Sequence, residues 1–313
     1  MRELFLSGFT DEAADDLSGQ IKALKTLGWN YFEARSIDGV NIHELNDAAF
    51  EKVCSVLGET GIKINCFGST IANWGTPVDS DFNATMAAAK RAVTRMRRLN
   101  VPFIRIMSYA VLTDEQKRPL PDQKEEKRFR QLREICGAFL DAGITPVHEN
   151  CFNFGGMSWE HTLKMLDKVP GLKLVYDTGN PGLTPDFRKP YPYPNQDSWE
   201  AWEKLKAHVV HIHIKDGRRD AQSGEESYFF PGEGDCEVKK ILGDAISMGY
   251  KGSFTIEPHM AAVFHDASVK NAPEYRLNNF IEYGKRTEEL FRSMGYKVKD
   301  GKVEIPFMEK CPR

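Results

Sequence analysis

Short apolar runs alternate with longer amphipathic runs along almost the whole chain, and this alternation restricts the possible folds more than any other feature. The apolar runs have the length of buried strands, whereas the amphipathic runs repeat their apolar residues with helical spacing. The predicted strands are residues 4–8, 29–34, 62–67, 103–107, 144–149, 172–177, 209–215 and 253–257. The predicted helices are residues 16–27, 44–60, 80–99, 124–142, 158–168, 198–207, 238–248 and 274–294.

Strict alternation of strand and helix predicts a parallel sheet with right-handed helical crossovers. Eight such units in succession predict an α/β fold of the (β/α)8 TIM barrel type. A doubly wound open sheet is the alternative, but it usually carries a glycine-rich phosphate-binding turn after its first strand. Residues 8–11 read Gly-Phe-Thr-Asp, which is not such a turn, so the barrel is favoured.

The barrel is predicted to occupy residues 1–295 as one domain, because no change of composition marks a boundary in that range. Residues 296–313 follow the eighth unit and contain Asp300 and Gly301 between two short alternating runs. An Asp-Gly pair in this setting is a strong signal for a two-residue hairpin turn. We therefore expect a C-terminal hairpin that packs on the barrel or extends from it, and that covers apolar surface or joins a subunit contact.

The charge and the cysteines argue against several classes of protein. The formal net charge of −3 does not suit a nucleic-acid-binding surface, which needs a basic stripe. No apolar run reaches the ~18 residues of a transmembrane helix. The apolar run at residues 1–6 is too short, and its composition too acidic, for a signal peptide. The six cysteines include no CxxC pair, so neither a disulfide framework nor a thiolate zinc site is expected. We expect a cytoplasmic protein that binds neither nucleic acid nor a membrane.

The seventh predicted strand contains the sequence His-Ile-His-Ile-Lys-Asp at residues 211–216. Alternate side chains of a strand point to opposite faces, so His211, His213 and Lys215 share one face. Two imidazoles and an ammonium on one face of a central strand indicate that this face meets a functional site.

Three neighbouring strands end in acidic residues that would meet the same site. The fifth strand ends at Glu149, the sixth at Asp177 and the eighth at Glu257, and the seventh carries His213. The ends of barrel strands are where catalytic groups lie. Each residue alone is compatible with a loop anchor or a hydrogen-bonded core residue, but three carboxylates facing one centre would repel one another without a cation.

Three carboxylates and one imidazole favour one divalent cation, with Mn²⁺ preferred and Mg²⁺, Co²⁺ or Zn²⁺ as alternatives. A structural zinc site would instead use cysteine and histidine in a closed tetrahedron. Four protein ligands leave two positions of an octahedral ion for a substrate, which is the arrangement of a Lewis-acid catalyst.

These segments resemble the xylose-isomerase-like barrel superfamily of sugar and sugar-phosphate isomerases and epimerases, and within it the ketose 3-epimerases. The resemblance covers roughly residues 4–290 and is most specific at residues 146–150, 175–180, 211–216, 232–234 and 249–257. It implies that Glu149, Asp177, His213 and Glu257 are the metal ligands. It also implies that Glu149 and Glu257 act as catalytic acid and base on opposite faces of a sugar, through an enediolate.

The candidate substrate-binding residues are Asn180, His211, Lys215, Arg218, His259, Trp74 and Tyr109. Lys215, Arg218 or the adjacent Arg219 would bind an oxyanion or phosphate, or would be solvated loop charges. His259, Trp74 and Tyr109 would form pocket walls, or the two aromatic residues would simply pack.

Two positions depart from the ketose 3-epimerases and concern the substrate. Asn180 stands where those enzymes carry a histidine, and Gly155 and Gly156 stand where they carry a glutamate after the fifth-strand ligand. The proline-rich loop 181–195, with Tyr191 and Tyr193, is longer than a minimal connection. It would enclose a larger substrate, such as a keto-glycoside or an inositol-like ring.

The favoured function is a divalent-metal-dependent sugar or sugar-phosphate isomerase or epimerase. A metal-dependent lyase or dehydratase acting on a keto-sugar, keto-glycoside or inosose is the alternative, because expulsion of a β-hydroxyl from the same enediolate gives dehydration. A non-catalytic sugar-binding or assembly subunit is a third interpretation.

The DNA-repair endonucleases of the superfamily fit poorly, since strands one to four end without histidine. The expected partner is a small carbohydrate, and a homo-oligomer is common among such barrels.

Overall fold

A computed structural model describes residues 2–263 and 266–306 of the chain and contains eight parallel strands surrounded by helices. The barrel strands are β1 (Arg2–Gly8), β2 (Tyr31–Ala34), β3 (Lys63–Gly68), β4 (Phe103–Ile106), β5 (Thr145–Glu149), β6 (Lys173–Asp177), β7 (Val209–Ile214) and β8 (Phe254–Ile256). The principal helices are α1 (Leu17–Leu27), α2 (Asp47–Thr60), α3 (Phe82–Leu99), α4 (Glu125–Leu140), α5 (Trp159–Lys168), α6 (Ser198–Leu205), α7 (Val238–Ser247) and α8 (Pro273–Ser293).

The strands pair in parallel in the order β1-β8-β7-β6-β5-β4-β3-β2, so that chain neighbours are also neighbours in the sheet. A parallel bridge between Phe9, which follows β1, and Glu33 on β2 joins the two ends of this series. The predicted (β/α)8 barrel is therefore confirmed. In register, His213 is opposite Asp177 on one side and Thr255 on the other, which places these strand ends side by side.

Alternation along β7 divides its side chains between two environments. Ile212 and Ile214 are fully buried and belong to the apolar core. His211 and His213 are also fully buried, but their rings bond to Glu33 on β2, on the far side of the barrel axis. The two faces predicted from the sequence are thus confirmed, with the histidines inside the barrel.

Local signals set several helix ends. Asp16 and Asn46 precede α1 and α2, and each side chain accepts a hydrogen bond from a first-turn backbone N–H group. Gly28 and Gly61 follow the same helices with φ of 71° and 70°, a left-handed conformation that favours glycine. Of the helices that the structure describes, none is both long enough and apolar enough to cross a bilayer.

Several short elements in the loops were not predicted. They are the strand pairs Ser36–Ile37 with Val40–Asn41, Asp216–Arg219 with Glu226–Phe229, and Ala262–Val263 with Asp266–Lys270, the short helix Asn180–Leu183, and the 3-10 turns Thr10–Glu12, Gly155–Met157 and Lys206–His208. The last of these turns takes the place of the end of the predicted sixth helix, so α6 ends at Leu205.

The predicted C-terminal hairpin is present as β9 (Lys297–Lys299) and β10 (Lys302–Ile305). Strand β10 pairs antiparallel with the first half of β1, while the second half of β1 pairs with β8. Gly301 lies against Trp29, a large buried side chain. The turn therefore covers apolar surface, which is one of the two roles expected for the hairpin. Residues 307–313, the rest of the predicted tail, lie outside the described residues.

Candidate functional site

Four side chains from consecutive strands meet at the carboxyl ends of β5 to β8. Glu149 and Asp177 are the last residues of β5 and β6, His213 lies one residue before the end of β7, and Glu257 directly follows β8. All four are buried, and one ligand-type atom from each lies within 4.8 Å of the others. The structure thus brings together the four residues that the strand ends indicated, while their role as metal ligands stays a prediction.

Arginine side chains hold the two glutamates of this cluster. Arg105 on β4 donates a hydrogen bond from Nη1 to Oε2 of Glu149 at 2.8 Å. Arg35, which follows β2, donates from Nη1 to Oε1 of Glu257 at 2.8 Å. The second oxygen of Glu149, Oε1, lies 3.7 Å from Nδ1 of His213. Each glutamate therefore has one oxygen fixed by a guanidinium and another that faces the cluster.

The turn after β6 fixes the aspartate in a similar way. Oδ1 of Asp177 accepts hydrogen bonds from the backbone N–H groups of Gly179 at 2.8 Å and Asn180 at 2.7 Å. Oδ2 of Asp177 and Nδ1 of His213 are buried and make no hydrogen bond to any described residue. Oδ2 of Asp177 has an ion-pair contact with Nζ of Lys215 at 3.2 Å, and Nδ1 of His213 has one with Oε1 of Glu149 at 3.7 Å. Buried polar atoms without a hydrogen bond are costly, and both atoms are of the types that bind a divalent cation.

A lysine ammonium also lies in the cluster. Nζ of Lys215 is 3.0 Å from Oε2 of Glu257 and 3.2 Å from Oδ2 of Asp177, and the side chain is buried. Lys215 is therefore part of the site, at the cluster-facing oxygens of two of its carboxylates.

The buried charges in and next to the cluster do not balance. Four carboxylates face three cationic side chains, namely Glu33, Glu149, Asp177 and Glu257 against Arg35, Arg105 and Lys215. Arg35 is also shared with Asp11 and Glu12. With neutral histidines the balance is negative, and either a proton on His213 or a divalent cation would offset it.

Glu33 holds both histidines of β7. Its Oε2 accepts hydrogen bonds from Nε2 of His211 at 2.7 Å and from Nε2 of His213 at 2.9 Å. Because Nε2 of His213 is used in this way, its Nδ1 is the nitrogen that faces Glu149. A carboxylate that orients a histidine through its remote nitrogen is a common support for a metal ligand.

The ring of Phe9 packs between the charged groups. The guanidinium carbons of Arg35 and Arg105 lie 4.3 Å and 5.4 Å from the centre of the ring. The ring of His213 meets it edge-on with 5.0 Å between centres. These cation–π and edge contacts hold three polar side chains in fixed positions.

The pKa values reflect this crowding of charge. Burial raises the pKa of Asp177 to about 6, although Lys215 acts in the opposite direction. Burial would also raise the pKa of Glu149, but Arg105 and His213 outweigh it and lower the pKa to about 2. Burial would lower the pKa of His213, but Glu33 and Glu149 raise it to about 10.

The loop after β7 is fixed by Asp216. Its buried carboxylate accepts hydrogen bonds from the backbone N–H groups of Gly217, Gly232, Gly234 and Cys236. A Cβ at Gly234 would overlap the Asp216 carboxylate, so this close approach requires glycine. The glycines at residues 232–234 therefore anchor the end of the loop that contains the strand pair Asp216–Arg219 and Glu226–Phe229.

Three predicted substrate-binding residues lie at or below the cluster. Nδ2 of Asn180 donates to Oε1 of Glu149 at 3.0 Å. Nε2 of His259 lies 3.8 Å from Oε1 of Glu257, and Nδ1 of its ring pairs with Glu12 at 2.9 Å. His211 lies deeper in the barrel and contacts Glu33, so it is a supporting residue and not a surface for a substrate.

The other predicted residues occupy different places. Arg218 donates two hydrogen bonds to the exposed carboxylate of Asp235, so it does not join the cluster. Tyr109 is buried in a loop with φ of 68°, and its backbone bonds to Ala72 and Phe154. Trp74 is partly exposed in the turn after β3.

Sequence reasoning missed Glu33, Arg35, Arg105 and Tyr228. The first three are charged residues within or directly after interior strands, where a parallel barrel normally carries apolar side chains. That departure was the available signal. Tyr228 lies in an unpredicted strand, and its ring meets that of His259 edge-on at 5.3 Å. Nothing in its local sequence indicated a place at the site.

Comparison with known proteins adds a family and a set of similar structures. The sequence model of a family described as "Xylose isomerase-like TIM barrel" matches residues 21–276 of the chain. A search of curated protein sequences gives no significant match.

Three solved structures illustrate the similarity. A D-tagatose 3-epimerase-like protein is 15% identical, with 93% of this chain and 98% of that chain covered and a TM-score of 0.68. A xylose isomerase-like TIM barrel protein from Mycobacterium smegmatis in complex with magnesium is 16% identical, with 90% and 97% covered and a TM-score of 0.64. A probable 3-DHS dehydratase from Bacillus anthracis is 14% identical, with 91% and 98% covered and a TM-score of 0.63. At these identities the likeness shows the fold alone.

Proposed function

Because the chain belongs to the xylose isomerase-like TIM barrel family, we propose that it is a divalent-metal-dependent enzyme that moves a proton next to the carbonyl group of a sugar. The reaction class is isomerisation or epimerisation. The observation that carries the proposal is the buried cluster of Glu149, Asp177, His213 and Glu257, in which one ligand-type atom from each residue lies within 4.8 Å of the others.

The donor set supports Mn²⁺, with Mg²⁺, Co²⁺ or Zn²⁺ as alternatives. Oxygen ligands dominate, which suits a moderately hard ion, and the single imidazole admits a transition metal. When bound, the cation would polarise the substrate carbonyl and stabilise the negative charge of an enediolate. One similar structure is a complex with magnesium, which is consistent with a divalent ion in this fold.

Glu149 and Glu257 are the proposed acid and base. They come from β5 and β8, the outer two of the four consecutive strands, so they lie at the two ends of the arc that the cluster forms. Arg105 lowers the pKa of Glu149, and Lys215, with a further contribution from Arg35, lowers the pKa of Glu257, so both carboxylates are ionised at neutral pH and either is available as the base. If one ionised glutamate removes a proton from the substrate and the other, after taking up a proton from solvent, returns it to the opposite face, one carbon is inverted.

The arginines near the site favour a neutral sugar over a sugar phosphate. Arg218 is engaged by Asp235 through two hydrogen bonds at 2.6 Å and 2.8 Å. Arg219 donates to Oδ1 of Asn195 at 2.8 Å. A phosphate would have to displace these partners.

A dehydratase is the second candidate, and Lys215 favours it. Its ammonium lies among the carboxylates, and Asp177 and Glu257 raise its pKa well above the ordinary value, so it would donate a proton only to a strongly basic group such as the oxygen of a departing hydroxyl. A glutamate would remove the α-proton, and the β-hydroxyl would leave as water with the proton from Lys215. One protein of the same fold is described as a probable dehydratase.

The two reactions are separated by incubating the Mn²⁺-loaded protein with ketohexoses and with an inosose in D₂O. Isomerase or epimerase activity predicts a new sugar with deuterium at the reacting carbon, whereas dehydration predicts a growing enone absorbance. The variant Glu257→Gln should abolish either signal, while Glu51→Gln, which changes an exposed glutamate paired with Arg98, should not. Full activity in the presence of a chelator would contradict the proposal.

A further inference from the structure

Four aromatic side chains form a continuous row on the two loops that follow β5 and β6. We call Phe152, Phe187, Tyr193 and Tyr191 the aromatic row. The ring centres of Phe152 and Phe187 are 6.0 Å apart, those of Phe187 and Tyr193 are 4.9 Å apart, and those of Tyr193 and Tyr191 are 5.7 Å apart. The end members are exposed, Phe152 to 45% and Tyr191 to 78%.

The aromatic row begins next to the proposed active site. Phe152 follows Glu149 by three residues, and Nδ2 of Asn153 donates to the backbone carbonyl of Glu149 at 3.3 Å. The strands before both loops end at the carboxyl rim, so the row lies on the same face of the barrel as the cluster. A molecule that is bound at the cluster and is longer than one ring can therefore continue over these side chains.

Hydrogen bonds hold the two loops together. The side chain of Gln196 donates to the backbone carbonyls of Gly156 and Met157, at 3.2 Å and 3.1 Å, and so connects the second loop to the first. A bridge between Pro185 and Asn195 closes the base of the second loop. The loop backbones that carry the rings are thus held together before any ligand arrives, which lowers the entropic cost of binding.

The chemistry of the aromatic row suits a sugar ring. Exposed aromatic faces accept the apolar C–H face of a pyranose, and tyrosine adds a hydroxyl that can bond to sugar hydroxyls. Because the row starts on the loop that directly follows Glu149, the occupant that fits best is one joined to the reacting sugar.

We propose that the aromatic row is a subsite for a second sugar ring, so that the substrate is a ketose-ended disaccharide or a related keto-glycoside. This inference rests on the proposed function, because the reacting ring must keep a free carbonyl at the cluster. The second ring is joined through an oxygen that takes no part in the proton transfer, and it contributes binding only.

Calorimetric titration of the Mn²⁺-loaded protein tests the subsite. The probes are fructose and two ketose disaccharides of different linkage, lactulose and isomaltulose. We expect at least one disaccharide to bind about fivefold to tenfold more tightly than fructose. The double variant Phe152→Ala/Tyr191→Ala should bring this ratio close to one. Both side chains are exposed, so the fold should tolerate the change.

Met248→Ala is the matched control, because this side chain is 47% exposed at the end of α7, on the opposite face of the barrel. It should leave the ratio unchanged. A ratio close to one in the parent protein, or a ratio that survives the double variant, overturns the subsite while fructose binding still supports the proposed function. If the protein still prefers a disaccharide after chelation, and the double variant removes this preference, the subsite is supported. The same result would count against a role of the metal in binding the sugar. Failure of every ketose to bind overturns both.

Discussion

Oε2 of Glu33, on β2, accepts a hydrogen bond from Nε2 of His213, on β7, across the interior of the barrel at 2.9 Å. The same oxygen accepts a second hydrogen bond from His211. The two histidines lower the pKa of Glu33 well below its ordinary value even though burial acts in the opposite direction. Glu33 is therefore an ionised group that sets the orientation of the His213 ring.

Glu33→Gln should weaken metal binding without unfolding the barrel. Glutamine has the same shape, but it is neutral and can accept from only one side of its amide, so His213 loses part of its support. We expect the Mn²⁺ dissociation constant to rise about 10- to 100-fold by calorimetry. Glu51→Gln, at an exposed position, is the control. Equal affinities in Glu33→Gln and the parent would show that Glu33 does not support the site.

Metal binding should release a proton, because a ligating imidazole must be neutral. Glu33 and Glu149 raise the pKa of His213 to about 10, so the ring carries a proton at neutral pH until a cation takes its place. Because the pKa of His213 is raised, its ring proton competes with the cation at every pH below about 10. Affinity for Mn²⁺ should therefore rise with pH, about tenfold per unit between pH 7 and pH 9.

Below pH 7, Asp177, with its pKa raised to about 6, should also take up a proton. The affinity for Mn²⁺ should then change more steeply with pH. Calorimetry at pH 7.5 in buffers of different ionisation enthalpy measures the number of protons released. We expect about one. A value of zero, with affinity independent of pH, would exclude His213 as a ligand.

Arg105→Met should destabilise the fold, because it leaves the buried carboxylate of Glu149 without its guanidinium partner. Loss of one member of a buried pair costs about 3–5 kcal/mol of the free energy of unfolding. Arg98→Met, which breaks an exposed pair with Glu51, should cost under about 1 kcal/mol. Chemical denaturation measures both. Similar small losses would mean that Glu149 finds another partner in the variant.

Gly156 should not tolerate a side chain. A Cβ at this position would overlap the backbone carbonyl of Cys151, in the loop that carries the end of β5 toward α5. We expect Gly156→Ala to lower the free energy of unfolding by about 2–4 kcal/mol. Gly137, inside α4, has open space at its Cβ position among the described residues. Gly137→Ala should stabilise by about 0.5–1 kcal/mol, and losses of equal size in both variants would contradict the overlap.

The strand order and the cluster could be predicted because both follow from short-range patterns. Alternation along residues 209–215 separates Ile212 and Ile214 from His211 and His213 before any contact is known. Parallel strands then bring their ends to one rim, so Glu149, Asp177 and Glu257 meet without further information.

The partners of these residues depend on contacts across the barrel and could not be predicted in the same way. Arg35 reaches Glu257 over a separation of 222 residues, and Glu33 reaches His213 over 180. Pattern reasoning places each residue on its own strand but does not give distances across the barrel axis. For Arg218 the local pattern was misleading. Its position after β7 predicted a place at the site, but it belongs to a short strand pair in the loop, and its side chain bonds to Asp235.

The buried cluster is proposed to hold one divalent cation. The direct measurement is the metal content of the purified protein after equilibration with Mn²⁺, with Asp177→Asn as the matched variant. Asparagine keeps the Oδ1 contacts to the turn but replaces Oδ2, the oxygen that faces the cluster. We expect about one ion per chain in the parent protein and loss of that ion in Asp177→Asn. Absence of bound metal from the parent protein would contradict the account, because the cationic side chains Arg35, Arg105 and Lys215, together with a proton on His213, would then balance the carboxylates.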